Sequence, residues 1–258
     1  MKNIQWGIIG CGDVTEIKSG PAFSKIDGSS LEMVMRRNEE KLIDYAKRHK
    51  IKRYSTDYLT LLEDKNINAI YIATPPNMHC FYTLEAARYK KAVYVEKPMA
   101  TTVADCKKMI KACRENDVPL YVAYYRRGQE KFKTIKTIIE SGQLGRIISF
   151  SHIYSCKEPV FNPQRSWLLD GETAGEGLLY DIGSHMIDIA LFLFEDVDYA
   201  YGISHKKIDN PDISDVVSGL IKFSNDVQGC MQFSFDCNDE KDEFSIVGEK
   251  GSIYFSDV

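Results

Sequence analysis

Short, nearly continuous apolar runs alternate with amphipathic stretches through the first half of the chain, whereas its last quarter is strand after strand. Asn3 to Ile9, Leu31 to Met35, Ala69 to Ala73, Ala92 to Val95 and Pro119 to Tyr124 each read as a buried strand. Between them Asn38 to His49 predicts a helix capped by Asn38, with Leu42, Ile43 and Ala46 on one face. A short helix is expected near Tyr58 to Leu62. A longer one begins near Asn77 and presents Cys80, Phe81, Leu84 and Ala87 to the core, and another over 102–117 carries Val103, Cys106, Met109, Ile110 and Cys113 at helical spacing. Alternation of this kind builds a parallel sheet with helices on its faces, an α/β fold.

The second half changes character. A helix over 129–141 ends at Ser141-Gly142, and Arg146 to Tyr154 alternates as a half-buried strand does. An irregular stretch follows to Gly177, with Trp167 as an apolar anchor; loops this long are usually functional, so it is expected to border a pocket. A helix from Leu178 to Phe194 then leads into strands over 199–206, 213–223, 227–236, 243–247 and 251–256. That order implies an α+β unit, a mostly antiparallel sheet with a helix on one face. The expected division is an α/β domain over 1–125 and an α+β domain over 126–258.

Composition narrows the classes. The 258 residues carry 44% hydrophobic and 27% charged side chains and a net charge of -4, which excludes a basic nucleic-acid surface as the first expectation. No run is expected to reach the ~18 apolar residues of a membrane span. The seven cysteines are odd in number and scattered, which fits a reducing, cytoplasmic location better than a disulfide framework.

Candidate chemistry sits at the strand ends. Gly10-Cys11-Gly12 follows the first strand and Asp13-Val14 opens the next helix, the places where a dinucleotide fold needs no Cβ and a pyrophosphate meets backbone N–H groups. Thr15 stands where a third glycine would. Arg36-Arg37 ends the second strand, where an acid would accept a ribose hydroxyl and a guanidinium would pair with a 2′-phosphate, so NADP(H) is expected ahead of NAD(H). Thr74-Pro75-Pro76-Asn77-Met78-His79 ends the strand that starts at Ala69, and His79 in a helix's first turn is expected to be structural. Glu96-Lys97-Pro98 puts a lysine at the carboxyl end of a strand, although an isolated lysine there is more often solvated. Asp181 and His185, four apart, share a helix face and could meet one reactant together; taken alone, such a pair is more often a surface pair.

Taken in order, G-I-I-G-C-G, A-T-P-P-N-M-H, Y-V-E-K-P-M-A and V-A-Y-Y-R-R resemble the glucose-fructose oxidoreductase, inositol dehydrogenase and MocA family over essentially the whole chain. The resemblance implies a Rossmann domain and an oxidoreductase acting on a sugar, polyol or related cyclic alcohol. It assigns Lys97, His185 and Asp181 to catalysis. Gly10, Gly12, Asp13, Val14, Arg36, Arg37, Thr74, Pro75, Asn77, His79, Glu96 and Lys97 would hold the cofactor, and Tyr125, Trp167, Tyr180, Asp181 and His185 the substrate. A dihydrodiol-type dehydrogenase and a non-catalytic dinucleotide sensor on the same fold are the alternatives. The family's glycine run is interrupted here as Gly175-Glu176-Gly177. Family members continue beyond the position of Val258, so an incomplete sheet edge and self-association through the C-terminal sheet are expected.

Overall fold

Six strands, β1 (Ile4–Ile9), β2 (Ser29–Met35), β3 (Tyr54–Ser55), β4 (Ala69–Ile72), β5 (Ala92–Val95) and β6 (Leu120–Val122), form a sheet in the order β3-β2-β1-β4-β5-β6. Every pairing in it is parallel. This is a computed structural model describing residues 3–17, 19–157, 163–207 and 210–256, and the chain separates into two compact units, Met1–Ala123 and Tyr124–Val258. The strand order reverses between β1 and β4. In a doubly wound sheet that is where the loops leave in opposite directions and open a crevice at the carboxyl ends. All four residues of β4 are buried, as are Ile8 and Ile9 of β1, which accounts for their unbroken apolar runs. The two-residue β3 has no such run to announce it.

Besides the short helices α1 (Asp13–Ile17), α3 (Leu59–Glu63) and α7 (Gly171–Ala174), longer ones cover the sheets, and their packing corrects several core assignments. In α2 (Glu39–Arg48), Asn38 caps as expected, its side chain accepting from Lys41 N at 2.9 Å. The buried strip is Leu42, Tyr45 and Ala46, and Ile43 is exposed because it lies one residue off that strip. In α4 (His79–Arg88) the strip is His79, Tyr82, Thr83, Ala86 and Ala87; Phe81 is 44% exposed and rests edge-on against Tyr58 and Tyr82. In α5 (Val103–Glu115), Met109 and Cys113 are buried while Val103 and Ile110 face outward.

The second unit is a six-stranded sheet of β7 (Ile147–Cys156), β8 (Val197–Lys207), β9 (Asn210–Phe223), β10 (Gln228–Phe235), β11 (Lys241–Gly248) and β12 (Ser252–Phe255), ordered β12-β11-β7-β10-β9-β8. Only β7 and β10 run parallel; the other neighbours are antiparallel. Phe132 and Ile135 of α6 (Glu130–Glu140) and Met186, Ile189, Ala190, Leu193 and Phe194 of α8 (Ser184–Phe194) pack with Phe150, Phe233, Phe244 and Ile246 of the sheet. That core explains a feature the sequence reading missed: the helical run Gly171–Phe194 is long and apolar enough to cross a membrane by length and composition. Its apolar residues are the ones that cover the sheet.

Candidate active site

The glycine turn is built by close approach. Gly10 has φ +94°, and a Cβ there would stand 2.8 Å from both Thr74 N and Thr74 Cγ2, so the position is closed to side chains. Gly10 N and Cys11 N both point to Met35 O, at 2.9 and 3.4 Å, which pins the turn to the end of β2. Gly12 is the opposite case: a Cβ would meet nothing within 4 Å. Thr15, in place of a third glycine, is fully buried, and its Oγ1 donates to Gly12 O at 2.7 Å, so the departure from the glycine pattern closes the turn by another route. Asp13 and Val14 begin α1 (Asp13–Ile17), Asp13 exposed and Val14 half-buried.

Around this turn lies a cavity of about 350 Å³, walled by residues 10–12, the β2 end from Met35 to Asn38, the β4 end from Ala73 to Pro75, and Tyr82. The two arginines differ. Arg36 Nη1 donates to Cys11 O at 2.9 Å and so braces the turn, whereas Arg37 is exposed and its charge draws down the pKa of Tyr82, which burial pushes up more strongly. Thr74 Oγ1 is buried without a hydrogen-bond partner. An open Gly12 beside an unsatisfied hydroxyl and two guanidiniums fits an anionic dinucleotide.

Asn77 is exposed on the turn Pro76–Met78. His79 is wholly buried, with Nδ1 2.9 Å from Pro98 O and Nε2 2.8 Å from Thr74 O. Burial holds its pKa below the usual histidine range, against those two carbonyls, so a neutral ring donates to one of them at a time. The residue clamps the loop after β4 to the loop after β5, as a structural histidine would. Glu96 Oε2 accepts from Lys97 N at 3.2 Å, Glu96 Oε1 accepts from Tyr71, and Lys97 is half-buried.

In the second unit Tyr180 and Asp181 do not lie on an ordinary α-helical turn. They sit on a π turn, Leu179–Gly183, that feeds α8, a wider turn of a kind often found at functional sites. Gly175 (φ +69°) makes room for Tyr180: a Cβ would stand 2.5 Å from its ring. Glu176 is secured by Lys206 Nζ at 2.7 Å and Ser214 Oγ at 2.8 Å, from β8 and β9, which turns the interruption of the glycine run into an anchor for the loop. His185 is 5% exposed and lies edge-on to Tyr124 (5.8 Å between ring centres) and Tyr125 (5.3 Å). Trp167 is half-buried on the turn Pro163–Leu169, beside the buried Leu168; Pro159, at the start of the irregular stretch, lies outside the described residues. Of the cofactor candidates, Gly10, Gly12, Arg36, Arg37, Thr74 and Pro75 line this one cavity, whereas Asp13, Val14, Asn77, His79, Glu96 and Lys97 are not among its lining residues; Tyr125, Tyr180, Asp181 and His185 lie around the start of α8.

Sequence reasoning missed what fixes that second group. Arg127 Nε and Nη2 grip Asp188 at 2.7 and 2.6 Å, and Arg126 Nη1 lies 3.3 Å from Met186 Sδ, so the turn Tyr125–Gly128 is fastened to α8 one turn beyond His185. The signal in the sequence was an aspartate three residues after His185 on an otherwise apolar helix. Burial raises the Asp188 pKa and outweighs the opposing Arg127 charge. Removing the guanidinium (Arg127→Ala) would leave a buried carboxylate without its counter-charge, costing about 2 kcal/mol at pH 7 once the half-exposed arginine is discounted for solvent screening. A raised folded-state pKa means that stability is lost as pH rises, so the gap in melting temperature between variant and parent should narrow from pH 7 to pH 4. A gap constant across that range in thermal melts would contradict this account.

The comparisons agree with this architecture. Residues 4–124 match the oxidoreductase family with a NAD-binding Rossmann fold, and residues 132–254 match the GFO/IDH/MocA C-terminal domain. Oxidoreductase P35 of Formosa agariphila is 39% identical over 256 residues, 98% of this chain and 79% of that protein. The 1,5-anhydro-D-fructose reductase of Ensifer adhaerens is 28% identical over 251 residues, 96% of this chain and 74% of its own length. Among solved structures, levoglucosan dehydrogenase in complex with NADH and levoglucosan superposes with a TM-score of 0.85 at 27% identity, over 99% of this chain and 74% of that one. Aldose-aldose oxidoreductase from Caulobacter crescentus gives 0.87 at 26%, over 99% and 77%. With a relative that similar over most of both lengths and the two domain matches in order, this chain belongs to the GFO/IDH/MocA family of oxidoreductases.

Proposed function

We propose that the protein is an NADP(H)-preferring oxidoreductase that interconverts a hydroxyl and a carbonyl on a sugar, polyol or related cyclic alcohol. The observation that carries the cofactor half is the cavity at the glycine turn, open at Gly12 and edged by Arg36 and Arg37. When bound there, the nicotinamide would give or take a hydride. The chain's own groups would manage the oxygen: Lys97 stabilises its charge, His185 exchanges its proton, and Asp181 orients the substrate, with Tyr180 as a second donor. Tyr125 and Trp167 would contact the ring of the substrate. The names of the relatives, a reductase of anhydrofructose and a dehydrogenase of levoglucosan, support a small carbohydrate as its class.

The test is NADPH oxidation by the full chain against a panel of keto sugars and diketones, with cofactor binding followed in parallel by fluorescence. Turnover with a member of the panel is expected. Tight cofactor binding with no turnover across the panel would favour a dinucleotide sensor instead.

All seven cysteines are free thiols, which supports a cytoplasmic location. Tyr199, Tyr201, Ile203 and Leu220 are exposed on adjacent positions of β8 and β9, which supports self-association through this sheet. A monodisperse monomer at high concentration in light scattering would refute that self-association.

A further inference from the structure

Tyr71, the third residue of β4, is fully buried, with its ring stacked on Tyr94 (5.3 Å, 28°) and tilted against Phe23 at 5.1 Å. Those contacts fix the ring and leave its hydroxyl one position. On one side the hydroxyl bonds Glu96 Oε1; on the other it lies 2.8 Å from Ser19 Oγ. A phenol has one proton and gives it to the stronger acceptor, the carboxylate; the single Ser19 hydroxyl proton is then shared between the phenol oxygen at 2.8 Å and Val14 O at 3.1 Å. Burial first, and the Glu96 charge second, raise the Tyr71 pKa, so it stays a donor at any working pH.

Both ends of this chain of bonds reach functional backbone. Glu96 Oε2 accepts from Lys97 N, while Ser19 N donates at 3.1 Å to Val14 O, in the helix that follows the glycine turn. The segment at Ser19 is itself held firmly: a Cβ on Gly20 would stand 2.9 Å from the Tyr45 hydroxyl, and that hydroxyl donates to Thr15 O at 3.0 Å. A purely apolar core position would be served by phenylalanine. The hydroxyl matters because it joins two loops that come from different strands.

Resting on the reading of Lys97 as the group that stabilises the reacting oxygen, we propose that Tyr71 is a positioning residue. It ties the lysine-bearing end of β5 to α1 through Glu96 and Ser19, so that Lys97 is held in register with the cofactor turn. The hydroxyl acts through the Glu96 carboxylate and has no contact with substrate.

Tyr71→Phe keeps the ring and removes only the oxygen; Ser19→Ala, on the surface side of the network, is the milder companion if the phenylalanine variant folds poorly. Hydrogen exchange of the free protein reads the network without any activity. The Lys97 amide should exchange ~10-fold faster in Tyr71→Phe and less markedly faster in Ser19→Ala, while amides of β4 and β5 stay protected. In single-turnover hydride transfer Tyr71→Phe should be ~10-fold slower, with the dissociation constant for NADPH changed less than about threefold. The double variant Tyr71→Phe/Glu96→Gln should be no slower than Glu96→Gln alone, as expected of two groups acting as a unit. Unchanged Lys97 exchange in both single variants would overturn the proposal whether or not the protein turns over a sugar. Normal exchange rates and multiplicative losses in the double variant would also overturn it. Absence of turnover in the unmodified protein, with altered exchange in the variants, would count against the functional reading alone.

Discussion

Replacing Lys97 with alanine should slow hydride transfer by on the order of a hundred to a thousandfold while weakening NADPH binding far less. A cation that stabilises charge on the reacting oxygen acts mainly in the transition state, and the loss of one such contact is typically of that size. The lysine's position supports a role of this kind: it is half-buried, its backbone N–H is held by Glu96, and the loop that carries it is clamped through His79. If His185 is the group that exchanges the proton, His185→Ala should cost ~100-fold or more and alter the pH dependence. If both serve one proton-transfer step, the double variant will be far less impaired than the product of the single losses. The measurement is single-turnover hydride transfer at saturating cofactor for the three variants. Near-normal transfer in Lys97→Ala would take the lysine out of the mechanism.

The strand-helix alternation of the first unit was legible where a strand is buried on both faces and so reads as an apolar run, as at Ile8-Ile9 and Ala69 to Ile72; β5 and β6 are only partly buried. Helix existence was legible too, and the Asn38 cap with it. Which strip of each helix faces the sheet was not, because α4 offers two neighbouring apolar strips and only the position of the sheet selects Tyr82 over Phe81. The candidate site divides in the same way. Gly10, Gly12 and the glutamate-lysine-proline turn are local features with local causes. The π turn under Asp181, the Arg127–Asp188 pair 61 residues apart in sequence and the hold of Lys206 and Ser214 on Glu176 are tertiary, and no window of sequence contains both partners. Tyr71 is the extreme case: in sequence it is one more aromatic residue in a buried strand, and only the fold brings its hydroxyl to Glu96 and Ser19.

The same contrast between local and tertiary causes sharpens the cofactor prediction, since the adjacent arginines are equivalent in sequence and different in structure. One of the five N–H donors of Arg36 is spent on Cys11 O, so its loss should loosen the glycine turn and weaken NADPH and NADH alike. Arg37 is exposed at the rim of the cavity and is the cation better placed to meet a 2′-phosphate. A charge-assisted pair of this kind should favour NADPH over NADH by about 1 to 3 kcal/mol, roughly tenfold to a hundredfold or somewhat more in dissociation constant. Because Arg37 meets solvent, the preference should shrink with added salt, as an exposed ion pair does over a Debye length of about 8 Å at physiological ionic strength. Arg37→Asp should reverse the order, by repelling a 2′-phosphate and offering an acceptor to the ribose hydroxyl. Arg36→Asp should lower both affinities without reversing them. Fluorescence titrations of the parent and both variants with each cofactor, at low and high salt, decide the matter. Equal dissociation constants for NADPH and NADH in the unmodified protein would end the case for an NADP preference, and a reversal in Arg36→Asp rather than Arg37→Asp would exchange the roles of the two residues.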